Sequence, residues 1–327
     1  MSAAAKAVGH EELGRFIREI LIAHGASEHD AAIVAQGLVW ANLRGSDGHG
    51  VSRLPRYVKL LERGEIDAKA QPRLVHDRAA TFIMDGGHGF GPVAVMQAAA
   101  RAVERAKQTG VCFALIRHTT HTGAIGRYAQ WIAERDCAAV LMGAGPTLMA
   151  YHGARVASMA TSTISNGKIL QARATGGALA PGTVLTAAGE PTTDASQADI
   201  LLPLGGPKGS GLAFMFEMLA SVLAAAPIQA PALGPQKRTR HTGNTAMLAI
   251  DIETFRPLID FKTDADALAA VVKALPRQTG FDEILLPGER GNRTETVRRK
   301  SGIPIPAKLW EELAMVAKET GVEMPAQ

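Results

Sequence analysis

Residues 80–142 read ATFIMDGGHGFGPVAVMQAAARAVERAKQTGVCFALIRHTTHTGAIGRYAQWIAERDCAAVLM. Ala80–Met84 and Val111–Ile116 are short apolar runs with the composition of buried strands. Between them lie the glycine-rich turn DGGHGFGP and a helical pattern from Pro92 to about Lys107. The segment RHTTHTG at 117–123 follows, then a helix to about Arg135 and a third strand, Ala138–Met142. Strands alternating with helices in this way predict an α/β sheet under helical cover.

Before this block the chain reads as helical. Leu13, Phe16, Ile17, Ile20 and Leu21 fall at helical spacing within residues 10–24, and Gly25 ends the pattern. Ser27, with Asp30 three residues on, caps a second helix that runs to about Leu43. A third spans Ser52 to Arg63, with Pro55 in its first turn, where a missing N–H costs nothing. Beyond residue 142, Gly143 to Asp199 is rich in Gly, Thr, Ser and Pro and predicts short strands and long loops. PLGGPKGSG at 203–211 opens the apolar stretch Leu212–Ala226, expected to be a buried amphipathic helix: it is short for a membrane span and contains Glu217. A strand over Ala246–Asp251 and a closing helix over Pro306–Thr320 complete the reading.

Composition narrows the function classes. With 46% hydrophobic and 20% charged residues over 327 positions, the chain can bury a sizeable core. A net charge of +4, evenly spread, does not make a nucleic-acid footprint, and a small anionic substrate is compatible with it. Two cysteines, Cys112 and Cys137, sit in apolar runs with neither metal-ligand spacing nor a disulfide framework, as expected in a reducing compartment. The first residues carry no apolar signal region, so a cytoplasmic protein with no membrane partner is expected.

Three places concentrate chemistry. In RGSDGHGVSRLPRY at 44–57, a helix starting near His49 would put His49, Arg53 and Arg56 on one face. An arginine can clamp a carboxylate through two parallel hydrogen bonds, and a histidine near neutral pKa can pass a proton to an adjacent oxygen. A solvated helix end with surface arginines has the same spacing. His118 and His121, just after a strand, stand where open α/β sheets collect ligands. Paired with His152 or His88 they could instead approach a metal, although no third ligand is evident from spacing. SMATST at 158–163 and GGPKGSG at 205–211 offer backbone N–H groups, and Lys208 a charge, to a pyrophosphate. Neither they nor DGGHGFGP has the G-x-G-x-x-G or P-loop spacing. Spacing alone therefore reaches an anion-binding α/β protein.

The blocks RGSDGHGVSRLPRYVKLLERG, HTTHTG, MATS, GEPTTD at 189–194, PLGGPKGSGLA and LPGE at 286–289 together resemble the type-2 malate/L-lactate dehydrogenase family. That family includes malate, lactate, sulfolactate and ureidoglycolate dehydrogenases, 2,3-diketogulonate reductase and the piperideine/pyrroline-2-carboxylate reductases. The resemblance spans about Leu13 to Leu313. It implies an α/β fold with a mixed-sheet cofactor domain distinct from the ordinary Rossmann dehydrogenases. Residues 1–72 would form an N-terminal helical domain, 73–290 the NAD(P)-binding domain, and 291–327 a segment packing on the first. It also implies a homodimer, NAD or NADP as cofactor, and hydride transfer to or from a small 2-oxo or 2-hydroxy acid or a cyclic imino acid. By the resemblance, His49 and His121 are the candidate proton-transfer residues. Arg53 anchors the substrate carboxylate, with Arg56 and Arg44 nearby. The dinucleotide falls to Ser158, Met159, Ala160, Thr161 and Ser162, to Pro207, Lys208 and Gly209, and to Gly288, Glu289 and Arg290; no metal is implied.

The chain departs from the family pattern around this pocket. A G-T-N-P block usually precedes the cofactor turn, but His152-Gly153-Ala154-Arg155 runs almost directly into Ser158, which stands where an Asp is usual. Ala144 replaces a common Asn, and Thr186 an Asp. Two other readings follow: a non-catalytic dinucleotide- or metabolite-binding relative that lost chemistry with the block, and a metal-dependent hydrolase or lyase using His118, His121 and His152.

Overall fold

The computed structural model describes residues 5–160, 169, 172–173, 176–226 and 243–326. A mixed five-stranded sheet organises it: Arg73–Asp77 (β2), Thr81–Asp85 (β3), Val111–Thr119 (β4), Gly243–Asp251 (β11) and Cys137–Ala144 (β5), in the spatial order β2-β3-β4-β11-β5. Within this sheet only β3 and β4 run parallel; the other three neighbouring pairs are antiparallel. That mixture separates the fold from a doubly wound dinucleotide fold, whose strands are mostly parallel. The parallel pair needs a crossover, and helix Gly91–Thr109 supplies it. Small side chains on that helix, Ala94, Ala98 and Ala102, pack on Cys112, Ala114 and Ile116 of β4. Gly110, at φ +82°, ends the helix in a conformation that suits glycine, and a Cβ there would lie 2.9 Å from Thr254.

A second sheet has the order β7-β6-β10-β8-β9, from Thr147–Ala150 (β6), Ala157–Ala160 (β7), Val184–Leu185 (β8), Pro191–Thr192 (β9) and Ile200–Leu201 (β10). The helices His10–Ala23 (α1), Glu28–Leu43 (α2) and Leu54–Glu62 (α3) share one core with the C-terminal strand Ile303–Ile305 (β12) and helix Ala307–Thr320. Strand Lys6–Val8 (β1) joins β12 antiparallel, pairing Lys6 with Ile305 and Val8 with Ile303. Phe90 and Val93, at the start of the crossover helix, also enter this core. The helical layer therefore seats against the end of the sheet where β4 finishes. Among the described residues no helix is long and apolar enough to cross a membrane.

Several elements differ from the sequence expectation. The strand expected over Val111–Ile116 continues to Thr119, because Thr119 pairs with Gly243 across the sheet. The third helix does not begin at Ser52. Two 3-10 turns, Asp47–His49 and Val51–Arg53, precede it and are separated by Gly50, so His49 and Arg53 do not share a continuous helix face.

The stretch Leu212–Ala226 is not a uniformly buried amphipathic helix. An α-helix, Pro207–Glu217, passes into a π turn at Met218–Val222. The small residues Gly209, Ser210, Ala213, Ala220 and Ser221 face inward, while Leu212, Phe214, Met215 and Leu223 remain about half exposed. Close approach to the sheet selects the small side of the helix and turns the large side chains outward.

Candidate active site

The turn carrying His49 is fixed by side chains around it. The Asn42 carboxamide is buried; its Oδ1 accepts from Val51 N–H at 2.7 Å and its Nδ2 donates to Asp47 Oδ1 at 2.6 Å. Gly50 lies so close to that amide that a Cβ would fall 2.2 Å from Asn42 Oδ1. Arg53 Nε donates to the Gly48 carbonyl at 2.6 Å, which holds the guanidinium beside the turn.

His121 is fixed from the sheet side, just beyond β4. Thr120 Oγ1 donates to the Gly89 carbonyl and accepts from Gly91 N–H. Tyr128 donates to the Thr122 carbonyl at 2.6 Å. Gly91 must lack a side chain, since a Cβ there would meet the His121 carbonyl at 2.6 Å.

These two supports bring the imidazoles together. His49 Nδ1 lies 3.2 Å from His121 Nε2, with ring centroids 5.3 Å apart and planes inclined by 4°. The Tyr57 hydroxyl, on the first turns of α3, lies 2.7 Å from His121 Nδ1. Tyr57 is 1% exposed, and burial pushes its hydroxyl well above the ordinary tyrosine range, so it stays neutral. Burial, and then the charge of Arg53, hold the His49 pKa below its ordinary value. Burial also lowers the Arg53 pKa, with Arg56 adding repulsion, although a guanidinium remains charged at neutral pH. The arrangement is a hydrogen-bonded line, Tyr57–His121–His49, with an arginine cation at its open end.

Sequence reasoning missed Tyr57. Its signal was its position in the block: eight residues after His49 and four after Arg53 in HGVSRLPRY, it shares the inward face of α3 with Leu54 and Val58. Arg56 lies on the same turn but is exposed.

The structure places Arg44 elsewhere. Its guanidinium donates to Asn292 Oδ1 at 2.5 Å, Glu295 Oε2 at 3.2 Å and the Gly288 carbonyl at 3.1 Å. It thus sits against the Gly288–Arg290 turn rather than beside His49, and Gly291 leaves room for it: a Cβ there would lie 3.0 Å from Arg44 Nη2. Glu289 is engaged by Lys273 Nζ and by Leu286 N–H, and Arg290 is exposed.

His118 belongs to a second cluster, at the ends of β3 and β4. Its Nδ1 is 3.0 Å from Asp85 Oδ2, which also accepts from Arg117 Nε at 3.2 Å. Burial alone would raise the Asp85 pKa; the Gly87 N–H, His118 and Arg117 outweigh it and leave the carboxyl below its usual range. His118 and His121 thus take separate partners, Asp85 for the first and Tyr57 and His49 for the second. Among the described residues no three His, Cys, Asp or Glu side chains form a metal-holding group.

Ser158, Met159 and Ala160 lie on β7, against the helix that carries Pro207, Lys208 and Gly209. Ser210 Oγ accepts from His152 N–H at 2.8 Å and Ser158 Oγ from Tyr151 N–H at 3.1 Å, so the 151–156 turn is tied to the start of that helix. Thr161 and Ser162 lie outside the described residues. The helix N-terminus follows Gly205 and Gly206, at φ +73° and +58°, has no side-chain cap and carries exposed Lys208. Uncapped N–H groups beside a lysine fit the phosphates of a dinucleotide.

The site joins a proton-carrying line to an arginine that can hold an anion, and comparison with known proteins identifies its kind. The sequence profile of the malate/L-lactate dehydrogenase family matches residues 8–158 and 156–314, and the chain belongs to that family. It is 32% identical to the L-sulfolactate dehydrogenase of Methanocaldococcus jannaschii, over 95% of this chain and 96% of that one. It is 30% identical to the Delta(1)-pyrroline-2-carboxylate reductase of Ancylobacter novellus, over 90% and 93%. The structure of malate dehydrogenase from Pyrococcus horikoshii superposes with a TM-score of 0.88 at 29% identity, covering 98% of this chain and 97% of that one. The two matched segments of the profile meet at residues 156–158, where the sequence lacks the G-T-N-P block. The structure closes this place with the short hairpin of β6 and β7.

Proposed function

We propose that this oxidoreductase transfers hydride between a nicotinamide dinucleotide, NAD or NADP, and a small 2-oxo or 2-hydroxy acid or a related cyclic imino acid. The observation that carries the reading is the 3.2 Å contact of His49 with His121, backed by Tyr57 and flanked by Arg53. The nicotinamide, when bound, supplies or takes the hydride. Everything else falls to side chains of this chain. Arg53 would hold the substrate carboxylate as a bidentate partner. The transfer would start from protonated His49: its Nδ1–H donates to His121 Nε2, His121 Nδ1–H donates to the Tyr57 oxygen, and His49 Nε2–H is the donor to the substrate oxygen or nitrogen. Giving that proton leaves His49 neutral, and in oxidation neutral His49 takes it back at Nε2, while Tyr57 stays neutral and orients His121. Burial of the line keeps water from competing for it.

Lys208 and the N-terminus of its helix would hold the pyrophosphate, with Ser158 to Ser162 and Gly288 to Arg290 along the rest of the dinucleotide. Division into 1–72, 73–290 and 291–327, a homodimeric assembly and a cytoplasmic location belong to the same proposal. The buried free thiols of Cys112 and Cys137 accord with a reducing compartment.

Fluorescence titration with NADH and NADPH, with and without a panel of 2-oxo acids and cyclic imines, tests the reading. Saturable binding with substrate-dependent loss of the reduced-nicotinamide signal is expected, and Arg53→Ala is expected to raise KM for the acid at least tenfold. The shortened 151–156 turn and Ser158 in place of the usual Asp favour a second reading, a relative that binds metabolites without chemistry. Folded protein that binds neither nucleotide would put that reading first.

A further inference from the structure

Helix Glu289–Ser301 lies along the flank of the His49 turn and is fastened to it at both ends. Near its start, Arg44 reaches Asn292, Glu295 and the Gly288 carbonyl. In its last turn, Arg298 grips Asp47 through two parallel bonds, Nη1–Oδ1 at 2.7 Å and Nη2–Oδ2 at 3.0 Å, and also donates to the Asn42 carbonyl.

Asp47 is the hub of the turn. Its Oδ1 accepts from Asn42 Nδ2 as well, and its carbonyl accepts from Ser52 Oγ at 2.7 Å and from Gly50 N–H at 3.1 Å. Asp47 precedes His49 in the chain, and Gly50 and Ser52 follow it. The backbone that aims the imidazole is thereby enclosed by contacts of a single residue, and Arg298 sets where that residue sits.

We propose that Arg298 is a positioning residue for His49, acting through Asp47, and that helix Glu289–Ser301 holds the proton-transfer turn in register with the Gly288–Arg290 turn. The inference rests on His49 serving proton transfer. An exposed ion pair adds little to stability, and Asp47 is half exposed. What the pair controls is direction: a displacement of about 1 Å in a reacting group can cost about a hundredfold in rate.

The test compares Arg298→Met, Arg298→Lys, Asp47→Asn and the double variant Asp47→Asn/Arg298→Met. Arg298→Met should lower kcat by about tenfold to a hundredfold. KM for the nucleotide should hold within about twofold, since the helix loses aim rather than anchorage. Arg298→Lys should recover only part of the rate, because an ammonium cannot reproduce the planar two-bond grip. The double variant should be no slower than the slower single one, as for two residues acting in one unit.

Imidazole nitrogen NMR, without substrate or nucleotide, supplies a readout independent of turnover. The signals of His49 and His121, assigned with His49→Gln and His121→Gln, should move in Arg298→Met while those of His24 and His76 stay. An unchanged kcat, additive losses in the double variant, or unmoved His49 and His121 signals would overturn the proposal. If the wild-type chain turns over no acid or imine, the reading of the reaction fails by itself, and the NMR comparison still decides the positioning role.

Discussion

His49 Nδ1 and His121 Nε2 lie 3.2 Å apart although 72 residues separate them in the chain. One ring comes from a turn after a helix of the N-terminal layer and the other from the end of a sheet strand, so neither element can hold the pair alone. At this separation one nitrogen must donate and the other accept, which makes the two imidazoles a single proton-carrying unit.

Replacing either histidine should therefore break the same function. His49→Ala and His121→Ala are each expected to reduce kcat by about 10²–10⁴-fold. The double variant should be no slower than the slower single one, because parts of one unit do not lose rate additively. Steady-state kinetics on the three variants check this, and additive losses would show that the two rings act separately.

Tyr57 is expected to matter through His121 and not through substrate contact. Tyr57→Phe keeps the buried ring and its packing with Leu54 and Val58 but leaves His121 Nδ1 without its 2.7 Å partner. Loss of one orienting hydrogen bond should lower kcat by about tenfold while KM stays within about twofold. Kinetics of the purified variant, with its melting temperature measured alongside, separate this from unfolding. A large rise in KM at unchanged kcat would place Tyr57 on the substrate instead.

Most of the fold was legible because its elements carry strong periodicity or strong punctuation. The strand–helix–strand block over 80–142 and the Ser27 cap, whose Oγ accepts from Asp30 N–H at 3.1 Å, lie close to their expected positions. The antiparallel insertion of β11 between β4 and β5 was not legible, since pairing across more than a hundred residues leaves no local trace. In the site, His49, Arg53 and His121 were picked by residue type and position, and the structure brings them together. Arg44 matched the same block yet faces the Gly288 turn, because the end of α2 directs it away from His49. Tyr57 was passed over because a buried tyrosine on a helix reads as core until its hydroxyl is seen to have a partner.

The pH dependence follows from His49. Its folded pKa lies below the ordinary histidine value of about 6.5, chiefly from burial and then from Arg53. The unfolded chain therefore takes up a proton on this residue as pH falls below about 6.5, while the native state resists it. More protons on the unfolded state mean that stability drops as pH is lowered from about 6.5 to the folded pKa, and levels off below that. Melting temperatures of the wild type and His49→Gln at pH 7.5, 6.5 and 5.5 should diverge in this sense, with the variant losing less on acidification. In the oxidation direction, kcat/KM needs the neutral imidazole as acceptor, so its acid limb should fall below pH 6.5. A limb above that value would assign the titration to another group.

Helix Leu258–Ala274 has no buried residue, yet it carries Ile259 at 70%, Leu268 at 65% and Val271 at 62% exposure. Phe255 and Phe281, at 68% and 62%, flank it. Large apolar side chains left exposed on more than one side of a helix make it a candidate contact face. A second copy of the chain is the proposed cover, since a two-fold pair buries the same patch on both subunits. Sedimentation of the wild type at micromolar concentration should give twice the chain mass, and Leu268→Asp/Val271→Asp should shift it toward the single chain by placing unpaired carboxylates in the contact. If the double variant is a folded monomer with reduced turnover, the dimer supports the site as well as this helix, through the Lys273–Glu289 pair that joins the helix to the Gly288–Arg290 turn. A wild type that sediments as a single chain would remove the homodimer from the proposal.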